Sequence, residues 1–430
     1  MITYYWPPSG GAGVQRILKF VKHLPQSGIK PYVVTVREDK ASYPVTDLTL
    51  NSDIPAEAEV FRTDTFEPYN LYSKILGKKS IPTGFSNESD PGVFQKFSRF
   101  VRGNFFIPDA RKGWIKYAFK EACRIIEKEN IKTIVSTSPP HSAQVTGLHL
   151  KKKYKNSIRW IVDLRDPWTD IYFYNEFKHL PFAVKEDAKY EREVLENADV
   201  IITVSKSLKE LFAKKSASIN PEKIKVIHNG FDEDDFNNKN HTLPEDSFII
   251  TYTGTIAESY NPEIFFTALK ETAVRNPGKK LLLRFIGDPA SSLIEFAKNI
   301  SLKDNIQVIP TVSHDESINY LLRSSALLLV IPEIKNDKGI LTGKLFEYLA
   351  ARKPIICIGP PDGDAAEIIR ECNAGKTFDR TGKDEIINYL ELLLNDRNFI
   401  LASDNVNELY KKYSRRNQAI ELAQILKTKF

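Results

Sequence analysis

The sequence predicts an α/β protein built from two doubly wound domains, and three observations carry that expectation. Short apolar runs alternate with amphipathic stretches along the whole chain, as in a parallel sheet covered by helices on both faces. The alternation stops at a polar stretch, NGFDEDDFNNKNHTLPEDS (229–247), and then starts again. The 430 residues are too many for one ordinary core and suit two domains of roughly 200 residues each.

In the first half, ITYYW (2–6) reads as a strand that begins abruptly, with a few of its residues expected upstream of Met1. A glycine-rich turn and a helical pattern, VQRILKFVKHL (14–24), follow it. PYVVTV (31–36), TIVSTS (133–138), RWIVDL (159–164), DVIITVS (199–205) and KIKVIHN (223–229) continue as strands. YAFKEACRIIEKEN and EDAKYEREVLENA are helices between them. Residues 40–113 break the pattern: they are polar, loop-like and rich in aromatics and proline. The second half gives the strands FIITYTG (248–254), LLLRFIGD (281–288), IQVIP (306–310), ALLLVIP (326–332) and PIICIG (354–359), with helices between. It closes on a long helical pattern from Glu385 to Phe430. The expected domains are 1–240 and 241–410, with 411–430 a terminal helix packing back on the first. Doubly wound domains take ligands at the carboxyl ends of their strands, so a cleft between the two ends is the expected site.

The composition, 42% hydrophobic and 27% charged, is that of a globular protein. No apolar run nears the roughly 18 residues of a membrane span, and the N-terminus lacks the basic-then-apolar order of a signal peptide. Cys123, Cys357 and Cys372 are odd in number and widely spaced, which predicts a reducing cytoplasm and no structural metal. Residues 1–240 carry 37 Lys and Arg against 30 Asp and Glu, and the rest carry 24 against 25. That excess is too small for a nucleic-acid binder and suits contact with an anionic membrane. FQKFSRFVRGNFFIPDARKGWIKYAFK (94–120) interleaves rings with basic residues; from Lys96 to Arg124 there are eight Lys and Arg against two acids. Two readings stay open for it, a helix with its aromatic face in the core or a face peripheral to a membrane over residues 94–124. No RNA-recognition motif accompanies it, so no nucleic-acid partner is expected.

Chemistry concentrates at strand ends. SGGAG (9–13) follows the first strand and opens a helix, where backbone amides can approach an anion. GILTGKLFEYLAARKPI (339–355) ends like a phosphate-binding P-loop but fails as one. Its glycines stand too close, and Leu345 occupies the position of the magnesium-binding hydroxyl. A helix starting near Gly343 would still aim the amides of Thr342, Gly343 and Lys344 at a diphosphate, with the Lys344 ammonium beside them. Glu347, one turn on, could take a vicinal diol such as a ribose; a surface ion pair with Lys344 is the alternative. WIVDLRDPW brings Asp163, Arg165 and Asp166 to another strand end, to orient a ligand or to pair with one another. His141 follows Pro139-Pro140 at a third. His228 reads as structural. The acidic run Asp232–Asp235 lies in the polar linker, away from any sheet edge, and is not expected to bind metal.

YYWPPSGGAGVQR, STSPPHSAQ, WIVDLRDPWTD, IITVSKSLKELF, KVIHNGFD, ITYTGTI and TGKLFEYLAARKPI occur in that order across nearly the whole chain. Together they resemble a family-4-type retaining glycosyltransferase of the GT-B fold, of the kind that assembles capsular polysaccharide, lipopolysaccharide and other bacterial surface polysaccharides. The resemblance implies two Rossmann-like domains, the first binding the acceptor and the second a nucleotide-sugar donor. It implies that Gly10 and Gly11 face the diphosphate or acceptor. Gly254 and Thr255 would line the donor site, Thr342, Gly343 and Lys344 would cradle the diphosphate, and Glu347 would bind the ribose. His141 would stand near the transferred sugar, with Arg165 also catalytic, and Asp163, Asp166, Trp168 and Arg16 on the acceptor side. No cofactor or metal is expected: backbone and cationic donors stabilise the leaving diphosphate, departure is front-faced, and the phosphate takes the acceptor proton. The implied acceptor is a glycan or a polyprenyl-diphosphate-linked glycan, met in the cytoplasm at the inner face of the membrane. The chain departs from the pattern in two respects. Gly339 stands where a Glu-x7-Glu motif has its first acid, and TIAESYNPE (255–263) lacks the Arg and Lys usual there. Lys344, with Arg165 or Arg16, is expected to supply the missing charge. A nucleotide-sugar 2-epimerase on the same fold and a non-catalytic scaffold in a polysaccharide assembly complex are the alternatives.

Overall fold

A computed structural model describes residues 1–67, 93–237, 247–396 and 408–428. The chain divides into two units, Met1–His228 with Arg415–Phe430, and Asn229–Ser414.

The first unit holds β1 (Tyr32–Val36), β2 (Glu59–Thr63), β3 (Thr133–Ser138), β4 (Arg159–Leu164), β5 (Val200–Thr203) and β6 (Ile224–Val226). β1 pairs with β2, and β3 through β6 pair in order, all parallel. Ile2 joins the two ladders, bridging Val34 on one side and Ser136 on the other. The spatial order is therefore β2, β1, the chain start, β3, β4, β5, β6, and the direction of winding reverses between the chain start and β3. ITYYW is only partly a strand. Ile2 N donates to Val135 O at 2.7 Å and Thr3 N to Val34 O at 3.1 Å, but the ladder ends there. Pro7 and Pro8 have no N–H to extend it, and Tyr4 turns into an edge-to-face contact with the buried Trp114.

β2 and the helix Val93–Phe105 lie inside the stretch expected to be loop. β2 hides from sequence reading because it is a half-exposed edge strand, EVFRT, without the apolar density of its neighbours. The helix Ala12–His23 buries Val14, Ile17, Leu18 and Val21, one apolar stripe at helical spacing. That stripe shares a core with Ala419, Leu422 and Ala423 of the last helix, Arg415–Lys427. Arg159 Nη1 fastens the same helix by donating to Ile425 O and Thr428 O at 2.6 and 2.9 Å.

The second unit is one six-stranded parallel sheet of β7 (Ser247–Thr253), β8 (Lys280–Ile286), β9 (Ile306–Ile309), β10 (Ala326–Val330), β11 (Ile355–Ile358) and β12 (Gly375–Phe378). Its order is β12-β11-β10-β7-β8-β9, so the winding reverses between β7 and β10. β10, ALLLV, is buried on both faces by separate apolar clusters. β12 was not legible as a strand: GKTF is short, polar and bounded by turns. The boundary between units falls at Asn229, earlier than residue 240, because Phe231 is an apolar anchor inside the polar stretch. It is 4% exposed, packs on Phe236 and Tyr410, and donates its N–H to Tyr413 O at 3.2 Å. Parts of the expected loop (68–92), linker (238–246) and C-terminal helical pattern (397–407) lie outside the described residues. Among the described residues no helix is long and apolar enough to cross a membrane.

Candidate functional site

In a doubly wound sheet the crevice opens where the strand order reverses. In the second unit that point lies between the carboxyl ends of β7 and β10. β7 runs directly into Gly254 and Thr255, and the helix Gly343–Ala351 follows β10 after a short 3-10 turn. The first turn-closing amide of that helix is Leu345 N, donating to Thr342 O at 3.2 Å. The amides of Gly343 and Lys344 precede it and belong to the helix's open end. Thr342 is the N-cap, yet its side chain makes no capping bond, and its Oγ1 is buried without a partner. The cap therefore leaves the amides of this helix N-terminus to a ligand, and they are the donors an anion would meet.

Lys344 reaches back to β7. Its Nζ donates to Tyr252 Oη at 2.6 Å and to Thr255 O at 3.4 Å, lying 4.2 Å from the Tyr252 ring centre and 5.8 Å from that of Tyr260. Burial lowers its pKa to about 8, against the opposing pull of Glu347. Tyr252 Oη donates in turn to Thr255 O at 2.9 Å. Gly254 makes this approach feasible: its φ is +86, and a Cβ there would stand 3.1 Å from Lys344 Cε. Glu347, half-buried, lies on the same helix one turn on.

In the first unit the reversal point lies between the chain start and β3. Here the structure separates the expected residues into two groups. Arg16 and Asp163 are spent on one another. They form a buried pair at 3.0 Å with exposures of 1% and 2%. Arg16 also donates to His228 O at 2.6 Å and Ile227 O at 2.9 Å, and Asp163 accepts from Thr137 Oγ1 at 2.7 Å. They are a clamp across the sheet end rather than acceptor contacts, because groups so enclosed have no surface to offer a ligand. Gly10 likewise commits its amide, to Val45 O at 2.8 Å, and a Cβ there would crowd Asp47 and Val45 at 3.0 and 3.2 Å. Its smallness serves the turn. Gly11, with φ +87, is the N-cap of the first helix.

The second group lies around the loop after β4, and of its members only Asp166 is exposed. Arg165 holds three carbonyls with its guanidinium, Ser138 O at 2.9 Å, Gly13 O at 2.7 Å and Pro139 O at 3.1 Å. It thus ties the glycine turn to the loop after β3. Burial lowers its pKa from the ordinary arginine value. Asp166 follows at the exposed turn. His141 is stacked face to face on Trp168, ring centres 4.1 Å apart and planes 6° apart. Burial, with Arg165 nearby, drives the His141 pKa down to about 3, so the imidazole is neutral at physiological pH. Its Nδ1 is buried with no partner. The acidic run Asp232–Asp235 forms a 3-10 turn capped by Asp232, and His314 Nε2 meets Asp235 at 3.0 Å. Among the described residues no group of three or more potential ligands could hold a metal ion.

The basic aromatic stretch also divides. Trp114 is fully buried, donating Nε1 to Thr63 Oγ1 at 2.8 Å, and Arg111 pairs with the buried Glu67 at 2.9 Å. Phe105 is 57% exposed and lies 6.5 Å from Phe182, 53% exposed on another helix. Lys112, Lys116, Lys120 and Arg124 are exposed.

Two family models cover most of the chain, Glycosyltransferase Family 4 over residues 83–235 and Glycosyl transferases group 1 over residues 233–418. The chain belongs to the family-4-type glycosyltransferases. A curated relative, D-inositol 3-phosphate glycosyltransferase of Nocardioides sp. (strain ATCC BAA-499 / JS614), is 21% identical over 214 residues, 44% of each chain. The match thus spans less than half of that relative's length. Sucrose-phosphate synthase from Thermosynechococcus elongatus superposes with a TM-score of 0.61 at 14% identity, covering 99% of this chain and 97% of that one. WaaG, a glycosyltransferase involved in lipopolysaccharide biosynthesis, gives 0.56 at 12% identity, covering 100% and 99%. At these identities the likeness shows the fold, which is GT-B.

In this glycosyltransferase the sequence reading missed Tyr252, which holds Lys344, and Asp109, which accepts from Ser142 N and Oγ at 2.7 Å each and so fixes the loop carrying His141. Neither carried a signal in the sequence, because each acts through a partner distant along the chain. Gly254→Val combines a strained positive φ with a clash on Lys344. Its expected effect is a loss of nucleotide-sugar binding of roughly tenfold or more, about 1.4 kcal/mol, with the first unit's unfolding unchanged. Calorimetric titration and differential scanning on the purified variant check both halves.

Proposed function

We propose that this chain transfers a sugar from a nucleotide-sugar donor to a glycan or lipid-linked glycan acceptor, with retention of anomeric configuration, in the assembly of a surface polysaccharide. The observation that carries the reading is the open N-terminus of the helix Gly343–Ala351 at the reversal point of the second sheet. The amides of Gly343 and Lys344 are open there, and the Lys344 ammonium is held at the end of β7 on Tyr252 Oη and Thr255 O. The donor's diphosphate takes up the amides and the ammonium, and Lys344 exchanges Tyr252 Oη for a phosphate oxygen. Glu347 accepts from the ribose hydroxyls. These fixed positive groups offset charge as the diphosphate leaves, so the chemistry is proposed to run without a metal.

In the first unit, the neutral His141 would stand near the transferred sugar. The acceptor is proposed to be linked to a polyprenyl diphosphate. The exposed rings of Phe105 and Phe182, with Lys112, whose Nζ donates to Phe105 O at 2.7 Å, support a peripheral contact with the anionic inner face of the cytoplasmic membrane.

The test is thermal stabilisation by a panel of UDP-, GDP- and dTDP-sugars, without added metal, in the wild type and in Glu347→Ala. One nucleotide class should stabilise the wild type; a donor at 100 times its Kd contributes about 2.7 kcal/mol. Glu347→Ala should weaken that binding by roughly 1.5–3 kcal/mol, the range for a hydrogen bond to a charged group. Stabilisation by no donor, with or without a polyprenyl diphosphate, would make a non-catalytic scaffold the better reading.

A further inference from the structure

The helix Pro181–Asn197 carries Asp187, a carboxylate on its inner face that is 5% exposed. It accepts from two side chains of one loop, Trp168 Nε1 to Oδ1 at 2.8 Å and Tyr174 Oη to Oδ2 at 2.9 Å. Trp168 is the ring on which His141 lies flat. An indole has a single polar handle, its Nε1–H. Tying that handle to a fixed acceptor removes the freedom of the ring to tilt, and a neighbour stacked at 6° inherits the plane. The plane of the His141 ring is therefore set by that of Trp168.

The same loop is fixed at its far end. The Tyr174 ring lies 4.3 Å from that of His179, whose Nδ1 is 3.2 Å from Gly103 O. Gly103 presses so closely on the loop that a Cβ would stand 2.6 Å from Phe177 Cβ. The loop that carries Trp168 is thus held between two helices. The arrangement comes at an electrostatic cost. Burial raises the Asp187 pKa to about 6, Glu191 and Asp109 raise it further, and the two hydrogen bonds oppose them. An apolar side chain would fill this inner position without that cost but would leave the indole N–H unmatched.

We propose that Asp187 is a positioning residue for sugar transfer, holding Trp168 and through it the plane of the His141 ring. The proposal rests on the reading of His141 as the group that meets the transferred sugar.

The test compares the full-length wild type with D187L, D187N and W168F. In ¹⁵N–¹H spectra the Trp168 indole signal is the one missing from W168F. D187L should move that signal, whereas D187N, which keeps an acceptor oxygen, should hold it near its wild-type position. Turnover is read as nucleoside diphosphate released from the sugar donor that stabilises the wild type. D187L should lower kcat roughly tenfold or more with donor KM changed less than about twofold, and D187N should recover most of kcat. An unmoved indole signal in D187L, or equal losses of kcat and Tm in D187L and D187N, overturns the positioning role while the wild type stays active. A wild type that turns over no donor sinks the transfer reading and the positioning role together, a result distinct from the first two.

Discussion

Lys344→Ala lowers nucleotide-sugar turnover by about 10²–10³-fold and leaves the fold unchanged. The magnitude is that of removing one preorganised charge donor from a developing anion. The stretch after β7 contributes no Arg or Lys, since TIAESYNPE has none. Lys344 is the cation that the second unit holds beside Gly254 and Thr255, with its Nζ already drawn to oxygens at 2.6 and 3.4 Å. The side chain is half-buried against Tyr252, so its truncation should cost less stability than that of a core residue. Steady-state kinetics with the stabilising donor, beside circular dichroism of the variant, checks the expectation. Wild-type turnover in K344A would end the assignment of Lys344 to the diphosphate.

The same residue sets a pH dependence. Its folded pKa is lowered, to about 8, so the ammonium is fully charged below that value and neutral above it. A diphosphate binds the charged form. Donor kcat/KM, which reports the free enzyme, should therefore be flat below pH 7 and fall as pH rises through about 8. Lys344→Arg, whose guanidinium does not titrate in that range, should remove the fall even where it lowers the rate.

Arg16→Met destabilises the first unit by about 3–5 kcal/mol. That is the cost of breaking a buried pair by removing one partner. Asp163 is 2% exposed and would keep only Thr137 Oγ1 as a side-chain donor, while the carbonyls of Ile227 and His228 would lose theirs. The pair joins the first helix to β4 and to the end of β6, so its loss loosens three elements together. Denaturant unfolding of R16M and of the double variant Arg16→Met/Asp163→Leu measures it. The double variant should recover a large part of the loss, because an apolar pair leaves no buried charge unmatched. A single variant as stable as wild type would return Arg16 to the acceptor-side role that the family resemblance implied.

Each strand that is apolar on both faces was legible in the sequence. TIVSTS and RWIVDL match β3 and β4 residue for residue, and ALLLV needed no context to be read as β10. The helix start at Gly343 was legible for the same local reason, a glycine next to a threonine cap after an apolar strand. β2 and β12 were not, since an edge strand needs apolar residues on one face at most and these two have few. The site divides on the same principle. Lys344, Thr342 and His141 could be named as candidates because strand ends and helix starts are local features of a sequence.

What the sequence by itself determined is the doubly wound pattern, its restart, and the strand ends where ligands collect. These follow from periodicity and from residues a few positions apart. Only the tertiary structure decided which charged groups are available. Arg16 and Asp163 look like site residues in the sequence and are closed on one another at 3.0 Å across 147 positions, while Asp187 lies 19 positions from the Trp168 it holds. A carboxylate's partner is set by distance in space, and burial decides whether that pairing is permanent. Neither quantity is written in residue order.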